Sequence, residues 1–155
     1  MSRSKPLSAV PAWGFALLAL ALHCGGGSNL AHAESKQFGA YEVHYNVVST
    51  IFLQPQIAAA YGIVRSPQRA LLNVALRRRA GTDSVPVAAR ITGEQGDLVR
   101  QSALRFREQR EPQAIYYLAE FEFSDAQTVY FNVALHPEGD QATLKLQFNS
   151  TLYEE

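Results

Sequence analysis

Residues 52–65 read FLQPQIAAAYGIVR, and they interrupt a chain that otherwise alternates between strand and turn patterns. Pro55 suits the first position of a helix, where its missing N–H is not needed. Gly62 suits the left-handed residue at which a helix ends. A helix of about seven residues does not hold its shape alone in water, so this one must be stabilised by packing. The apolar side chains available for that packing are Phe52, Leu53, Ile57, Tyr61, Ile63 and Val64.

On both sides of this segment, apolar and polar side chains alternate with the period of half-buried β-strands. The alternation is clear in residues 38–50, 69–79, 87–92, 114–123, 127–136 and 142–153, and it is short around residues 104–107. About seven strands with one short helix near residues 55–61 predict an all-β fold, an antiparallel two-sheet sandwich of immunoglobulin-like architecture. A barrel is the alternative, because it also buries one face of every strand.

The first 33 residues have the composition of a secretory signal peptide. A basic start is followed by an unbroken apolar run over residues 12–22 and by a small-x-small sequence that ends at Ala33. The apolar run has 11 residues, whereas roughly twenty are needed to cross a bilayer. We therefore expect cleavage between Ala33 and Glu34, with residues 34–155 forming a single β-sandwich domain.

Cys24 offers an alternative route of maturation. It follows the apolar run and precedes three glycines and a serine, which resembles the acylation site of a bacterial lipoprotein. The preceding residue, His23, is bulkier than that kind of site prefers, so soluble export is favoured over a lipid anchor. Cleavage after Ala33 leaves 122 of the 155 residues and no cysteine, and therefore neither disulfide nor thiol chemistry.

The charge of the chain gives no reason to expect nucleic acid or an anionic membrane as a partner. The first 33 residues hold two of the 14 basic residues and none of the 14 acidic ones, which leaves 12 against 14 and a net charge of −2. A charge so close to zero does not generate the strong surface potential that such partners require. We also expect no membrane span.

Side chains that could support catalysis or hold a metal are sparse. After residue 33 the chain has two histidines, His44 and His136, and no cysteine. Neither histidine lies near a known nucleophile motif, and two isolated histidines do not provide the ligand set of a zinc site. Glu120 and Glu122 share a strand face, where their simplest role is to keep a sheet soluble. We therefore expect no catalytic residue, no metal and no cofactor.

Binding is the activity for which the sequence offers candidate residues. All seven tyrosines lie after residue 33, and tyrosine suits interfaces because it has an apolar body and a polar tip. β-strands also favour tyrosine, so its abundance alone decides nothing. We expect Tyr116 to be exposed, because it alternates with Tyr117 along its strand. A pocket beneath residues 52–65 would be lined by Gln54, Tyr61, Arg65 and Asn73.

Four short stretches carry a family resemblance: FLQP at residues 52–55, IAAA at 57–60, GIVR at 62–65 and AIYYL at 114–118. With them, the chain from its mature start to the closing strand resembles a family of small exported proteins of Gram-negative bacteria. That family is catalogued as a domain of unknown function. The resemblance implies a periplasmic β-sandwich and carries no established activity, cofactor or catalytic residue, so no role transfers to a residue here.

These observations favour a non-catalytic periplasmic module that binds a protein or envelope partner through a sheet face or through residues 52–65. The alternative is a small-molecule binder or hydrolase with its pocket beneath that segment. A third hypothesis is an envelope component tethered by lipid on Cys24.

Overall fold

The computed structural model describes residues 34–154, which form two separate antiparallel sheets. The first sheet contains β1 (Glu34–Phe38), β2 (Tyr41–Ser49), β3 (Arg69–Ala80), β4 (Asp83–Pro86), β7 (Arg107–Glu111) and β8 (Ala114–Glu122). The second contains β5 (Ala89–Gly96), β6 (Gln101–Ala103), β9 (Gln127–Pro137) and β10 (Leu144–Leu152). The predicted sandwich is confirmed, and the two separate sheets exclude the barrel.

The strand order is β1-β2-β3-β8-β7 in the first sheet, where β4 pairs with the end of β3. In the second sheet the order is β10-β9-β5-β6. The strands predicted from alternation correspond to the longer ones, while β1, β4, β6 and β7 are short strands of three to five residues. Short strands contain too few alternating positions for the pattern to define where they begin and end.

The main core lies between the two sheets. As the alternation in β2 predicts, Tyr41, Val43 and Tyr45 are buried there. Aromatic rings connect the two layers: the ring centroids of Tyr45 on β2 and Phe148 on β10 lie 4.5 Å apart. Further buried members of this core are Ala70, Leu72, Val74, Leu76, Tyr117, Ala119, Phe121, Val129, Val133, Leu135, Leu144 and Leu146.

The central strand β3 is buried on both of its faces. Its residues from Ala70 to Leu76 are all inaccessible or nearly so. One face lies in the main core, while Leu71 and Ala75 on the other face belong to a second apolar cluster. That second cluster also contains residues from the segment 52–65, so the segment covers the outer face of the first sheet.

The short alternation around residues 104–107, which suggested one short edge strand, instead covers the crossing between the sheets: residues 104–106 lead from β6 at the edge of the second sheet to β7 at the edge of the first. β6 pairs with β5, and the Leu104 N–H donates to the Gly93 carbonyl over 2.8 Å. The chain then enters the first sheet as β7. Leu104 is buried in the main core. It anchors the crossing there, whereas the alternation around it fits a continuous strand equally well.

Within residues 34–154, no helix has both the length and the hydropathy needed to cross a membrane. The alternative acylation site Cys24 and the small-x-small sequence ending at Ala33 lie outside the described residues. Glu34, the expected first residue after cleavage, begins β1.

Candidate binding surface

The segment 52–65 has a helix whose two ends are set by its own sequence. A short 3₁₀ turn over Thr50–Phe52 leads into α1 (Pro55–Ala60), which has proline at its first position as predicted. Gly62 has φ +61°, the left-handed conformation expected at the helix end. The Ile63 N–H donates to the Ala58 carbonyl over 2.8 Å, and the Gly62 N–H donates to the Ala59 carbonyl over 3.2 Å. This pair of bonds is a Schellman motif.

The two ends of the segment are joined to each other. The Thr50 hydroxyl accepts from the Ser66 N–H over 3.0 Å and donates to the Ser66 carbonyl over 3.2 Å. The Arg65 Nη2 donates to the Ile51 carbonyl over 2.8 Å. Thr50 is fully buried. The segment is therefore a compact surface loop whose ends are close together and satisfied by internal hydrogen bonds.

The inner side of the segment packs on the first sheet. Leu53, Ala58 and Ile63 are buried, as are the sheet residues beneath them. The sheet side of this cluster consists of Leu71, Ala75, Tyr116 and Leu118. Burying each large aliphatic side chain contributes about 1.5–3 kcal/mol relative to exposure. Packing is therefore sufficient to hold a helix too short to be stable alone.

Polar contacts surround this apolar cluster. The Tyr61 hydroxyl donates to Glu111 Oε1, and Arg107 Nη1 donates to the Tyr61 carbonyl over 2.9 Å. Glu120 accepts from Arg107 Nη2 over 3.0 Å and from the Val64 N–H over 3.3 Å. Burial, followed by the bond to Glu111, raises the pKa of Tyr61 above its usual range, so its hydroxyl remains a donor.

The structure does not bring the five predicted binding residues together around one pocket. Gln54 and Arg65 are exposed on the outside of the segment, and Tyr61 lies half-buried at its edge. Asn73 is buried on the sheet beneath, where its Oδ1 atom has no hydrogen-bond partner within the described part of the chain. The expectation that Tyr116 is exposed is wrong: it is 5% exposed, because the segment covers its strand face.

The apolar residues of the segment do not all pack inward as expected. Phe52 and Val64 are 51% and 57% exposed, while Ile57 and Tyr61 are partly buried. Ala58, which was not among the expected packing residues, is buried because α1 lies directly on the sheet. Hydrophobicity alone does not show which side of a loop faces the protein, and no signal in the sequence separates Phe52 from Leu53.

Cavities lie elsewhere on the molecule. One of about 490 Å³ opens on the second sheet, with Thr92, Asn132 and Lys145 among its lining residues. Another of about 380 Å³ lies near the end of the first sheet, beside Arg69 and Glu122. Neither of these two cavities is lined by residues 52–65.

The two histidines of the domain lie in different sheets and have local partners. His44 on β2 lies 3.7 Å from Glu42, and His136 Nδ1 on β9 lies 3.1 Å from the Thr143 hydroxyl. Among residues 34–154, no group of three or more His, Cys, Asp or Glu side chains is placed to hold a metal ion.

Comparison with known proteins supports the resemblance seen in the sequence. The family model "Domain of unknown function (DUF4426)" matches residues 35–155. The chain belongs to the DUF4426 family. A crystal structure of a DUF4426 family protein from Pseudomonas aeruginosa PAO1 is 35% identical, covers 79% of this chain and 96% of that chain, and has a TM-score of 0.67. A search of curated proteins gives no match.

More distant structures share the fold of this DUF4426 domain. FetP of uropathogenic Escherichia coli strain F11, in its "as isolated" form, is 9% identical with a TM-score of 0.54, covering 81% of this chain and 96% of that chain. A copper-bound variant of the same FetP is 9% identical with a TM-score of 0.55, covering 79% and 96%. At this identity the likeness concerns the fold alone, and the bound copper is a property of that FetP variant.

Proposed function

We propose that this DUF4426 domain is a non-catalytic exported module that binds a protein or another envelope component through the outer surface of residues 52–65. One observation carries the proposal. Phe52 and Val64 display large apolar side chains to solvent on a segment whose helix end and loop ends are fixed by hydrogen bonds. Because the segment is already ordered, binding through it does not require the loss of loop entropy that a mobile segment would suffer.

The chemistry around these two side chains fits a protein partner. Gln54 and Arg65 are exposed on the same segment. Exposed aromatic, aliphatic and arginine side chains on one segment are a composition found in protein interfaces. The region beneath the segment favours the binding module over the pocket hypothesis, because Leu53, Ala58 and Ile63 fill it with apolar side chains.

One observation supports export into the periplasm. The family match begins at residue 35, which agrees with cleavage after Ala33. Mass spectrometry of the protein recovered from an expressing Gram-negative bacterium is expected to find Glu34 as the first residue. An acylated Cys24 would instead establish the lipid-tethered form.

The binding proposal is tested by crosslinking in the periplasm followed by capture of the tagged protein. We expect a reproducible partner with the unchanged protein and its loss when Phe52→Ser and Val64→Ser are combined. Tyr153→Ser is the matched control, because Tyr153 is 56% exposed and lies at the end of the chain instead of on the segment. A partner retained equally by both variants, or no partner at all, would contradict the proposal.

A further inference from the structure

We propose that the turn between β5 and β6 is a membrane-contacting tip, at which Leu98 and Val99 insert into the interfacial layer of a phospholipid bilayer. These two adjacent aliphatic side chains are 81% and 88% exposed. The turns that connect strands at a protein surface normally carry polar residues, glycine or proline. Two adjacent aliphatic residues this exposed on a turn are therefore available for a contact outside the domain.

The tip is held in one conformation by its own backbone. Asp97 Oδ1 accepts from the Val99 N–H over 2.7 Å and from the Arg100 N–H over 2.6 Å. Gln101 Nε2 donates to the Asp97 carbonyl over 2.6 Å. At Gly96, a side-chain Cβ would lie 1.9 Å from the Arg100 carbonyl oxygen, so this close approach requires glycine. The turn therefore presents Leu98 and Val99 without needing to be ordered on binding.

The surroundings of the tip favour a bilayer over a protein surface. Gln101, Ser102 and Ala103 of β6 are exposed and offer little apolar area. A stable protein interface needs roughly 800 Å² from each partner. The two tip side chains and their short polar strand do not provide that area, whereas exposed residues recur along the whole of residues 52–65. A bilayer accepts an isolated apolar projection, and a basic side chain such as Arg100 can extend to the phosphate groups.

The charges at the tip indicate how the association should respond to salt. Hydrogen bonds from the backbone N–H groups of Arg100 and Val99 lower the pKa of Asp97, so its carboxylate stays ionised. The adjacent Arg100 offsets that charge. Apolar insertion must then supply the affinity, and we expect a weak, reversible association that changes little with ionic strength.

Vesicles of phosphatidylethanolamine and phosphatidylglycerol provide the first test, with the protein recovered after export. Combined Leu98→Ser and Val99→Ser should lower the vesicle partition coefficient by roughly tenfold for each side chain removed, since each loses the favourable burial of an aliphatic group. Combined Val85→Ser and Tyr153→Ser is the control, because both side chains are exposed and lie away from the tip, and it should bind as the unchanged protein does. No binding by the unchanged protein, or equal binding by the tip variant, would overturn the proposal.

A fluorescent probe at the tip provides the second test. Trp13 is the single tryptophan of the 155 residues and lies before the expected cleavage site, so Val99→Trp gives the exported protein one probe at the tip. We expect its emission to shift to shorter wavelength on adding the vesicles and to be quenched by brominated lipid chains. Unshifted emission would show that the tip stays in water or contacts something other than lipid, and would overturn the proposal. Neither result bears on the partner proposed for Phe52 and Val64.

Discussion

At the scale of single residues, Phe52 and Leu53 illustrate how position decides what an apolar side chain does. They are neighbours in sequence, yet Phe52 is half exposed and Leu53 is 2% exposed. Leu53 contributes to the cluster that fixes the segment on the first sheet. Phe52 points away from that cluster and is available to a partner.

Truncating these two neighbours should therefore have different effects on stability. We expect Leu53→Ala to lower the free energy of unfolding by about 2–5 kcal/mol, because it removes buried atoms and leaves a cavity. Phe52→Ala is the control and should change it by no more than about 0.5–1 kcal/mol, since the residue is largely solvated. Urea denaturation measures both values. A small effect of Leu53→Ala would mean that the segment is not packed on the sheet.

At the scale of elements, Thr50 and Ser66, which flank the segment 52–65, are joined by hydrogen bonds that do not involve the sheet. The Thr50 hydroxyl accepts a hydrogen bond from the Ser66 N–H and donates one to the Ser66 carbonyl. The adjacent Ser49 is also buried, but its hydroxyl has no hydrogen-bond partner among residues 34–154. The two neighbouring hydroxyls therefore differ: that of Thr50 joins the ends of the segment, and that of Ser49 makes no hydrogen bond within the described residues.

This difference allows a matched comparison. Thr50→Val keeps the shape of the side chain but leaves the partly buried Ser66 N–H without its partner and the Ser66 carbonyl with only the Arg69 N–H. It should lower the free energy of unfolding by about 1–3 kcal/mol. Amide hydrogen exchange should also accelerate in residues 52–65, where the ends are no longer joined. Ser49→Ala removes an unpaired buried hydroxyl and should be neutral or stabilising. If both variants exchange at the rate of the unchanged protein, the Thr50 bonds do not hold the segment.

At the scale of the whole molecule, tyrosines lie both between the two sheets and between the first sheet and the segment 52–65. Tyr117 lies in the main core, and its hydroxyl accepts from the Ala89 N–H over 2.7 Å, which joins the two sheets. Burial raises the pKa of Tyr45 to about 12. Burial is also the main cause of the raised pKa of Tyr61, Tyr116 and Tyr117.

These shifts predict a loss of stability in alkaline solution. An unfolded tyrosine loses its proton near pH 10, whereas the buried ones keep theirs to higher pH, so the folded state binds more protons above that point. The contribution of these tyrosines to the free energy of unfolding should therefore be constant below about pH 10 and fall as the pH rises towards the raised pKa values. Tyr45→Phe should reduce this slope, while exposed Tyr153→Phe serves as the control. Denaturation that is equally pH-dependent in both variants would contradict the prediction.

The local features of this protein were predictable because they depend on residues close together in sequence. Pro55 and Gly62 define the two ends of α1 through their own backbone geometry. The alternation in β2 places Tyr41 and Val43 in the core because successive side chains point to opposite faces. The sequence by itself thus determined the all-β class, the longer strands and the helix, whereas the two separate sheets of the tertiary structure decided for a sandwich over a barrel.

The candidate surfaces depended on contacts between distant parts of the chain. Tyr116 is buried because a segment more than fifty residues earlier covers it, and alternation says only which face a residue is on, not what covers that face. The crossing between the sheets at Leu104 also depends on contacts beyond the local sequence, because β6 pairs with β5 in the second sheet and β7 pairs with β8 in the first. Only the tertiary structure decided that Phe52, Val64, Leu98 and Val99 stay in solvent, because burial is set by long-range packing and not by the hydrophobicity of the side chain.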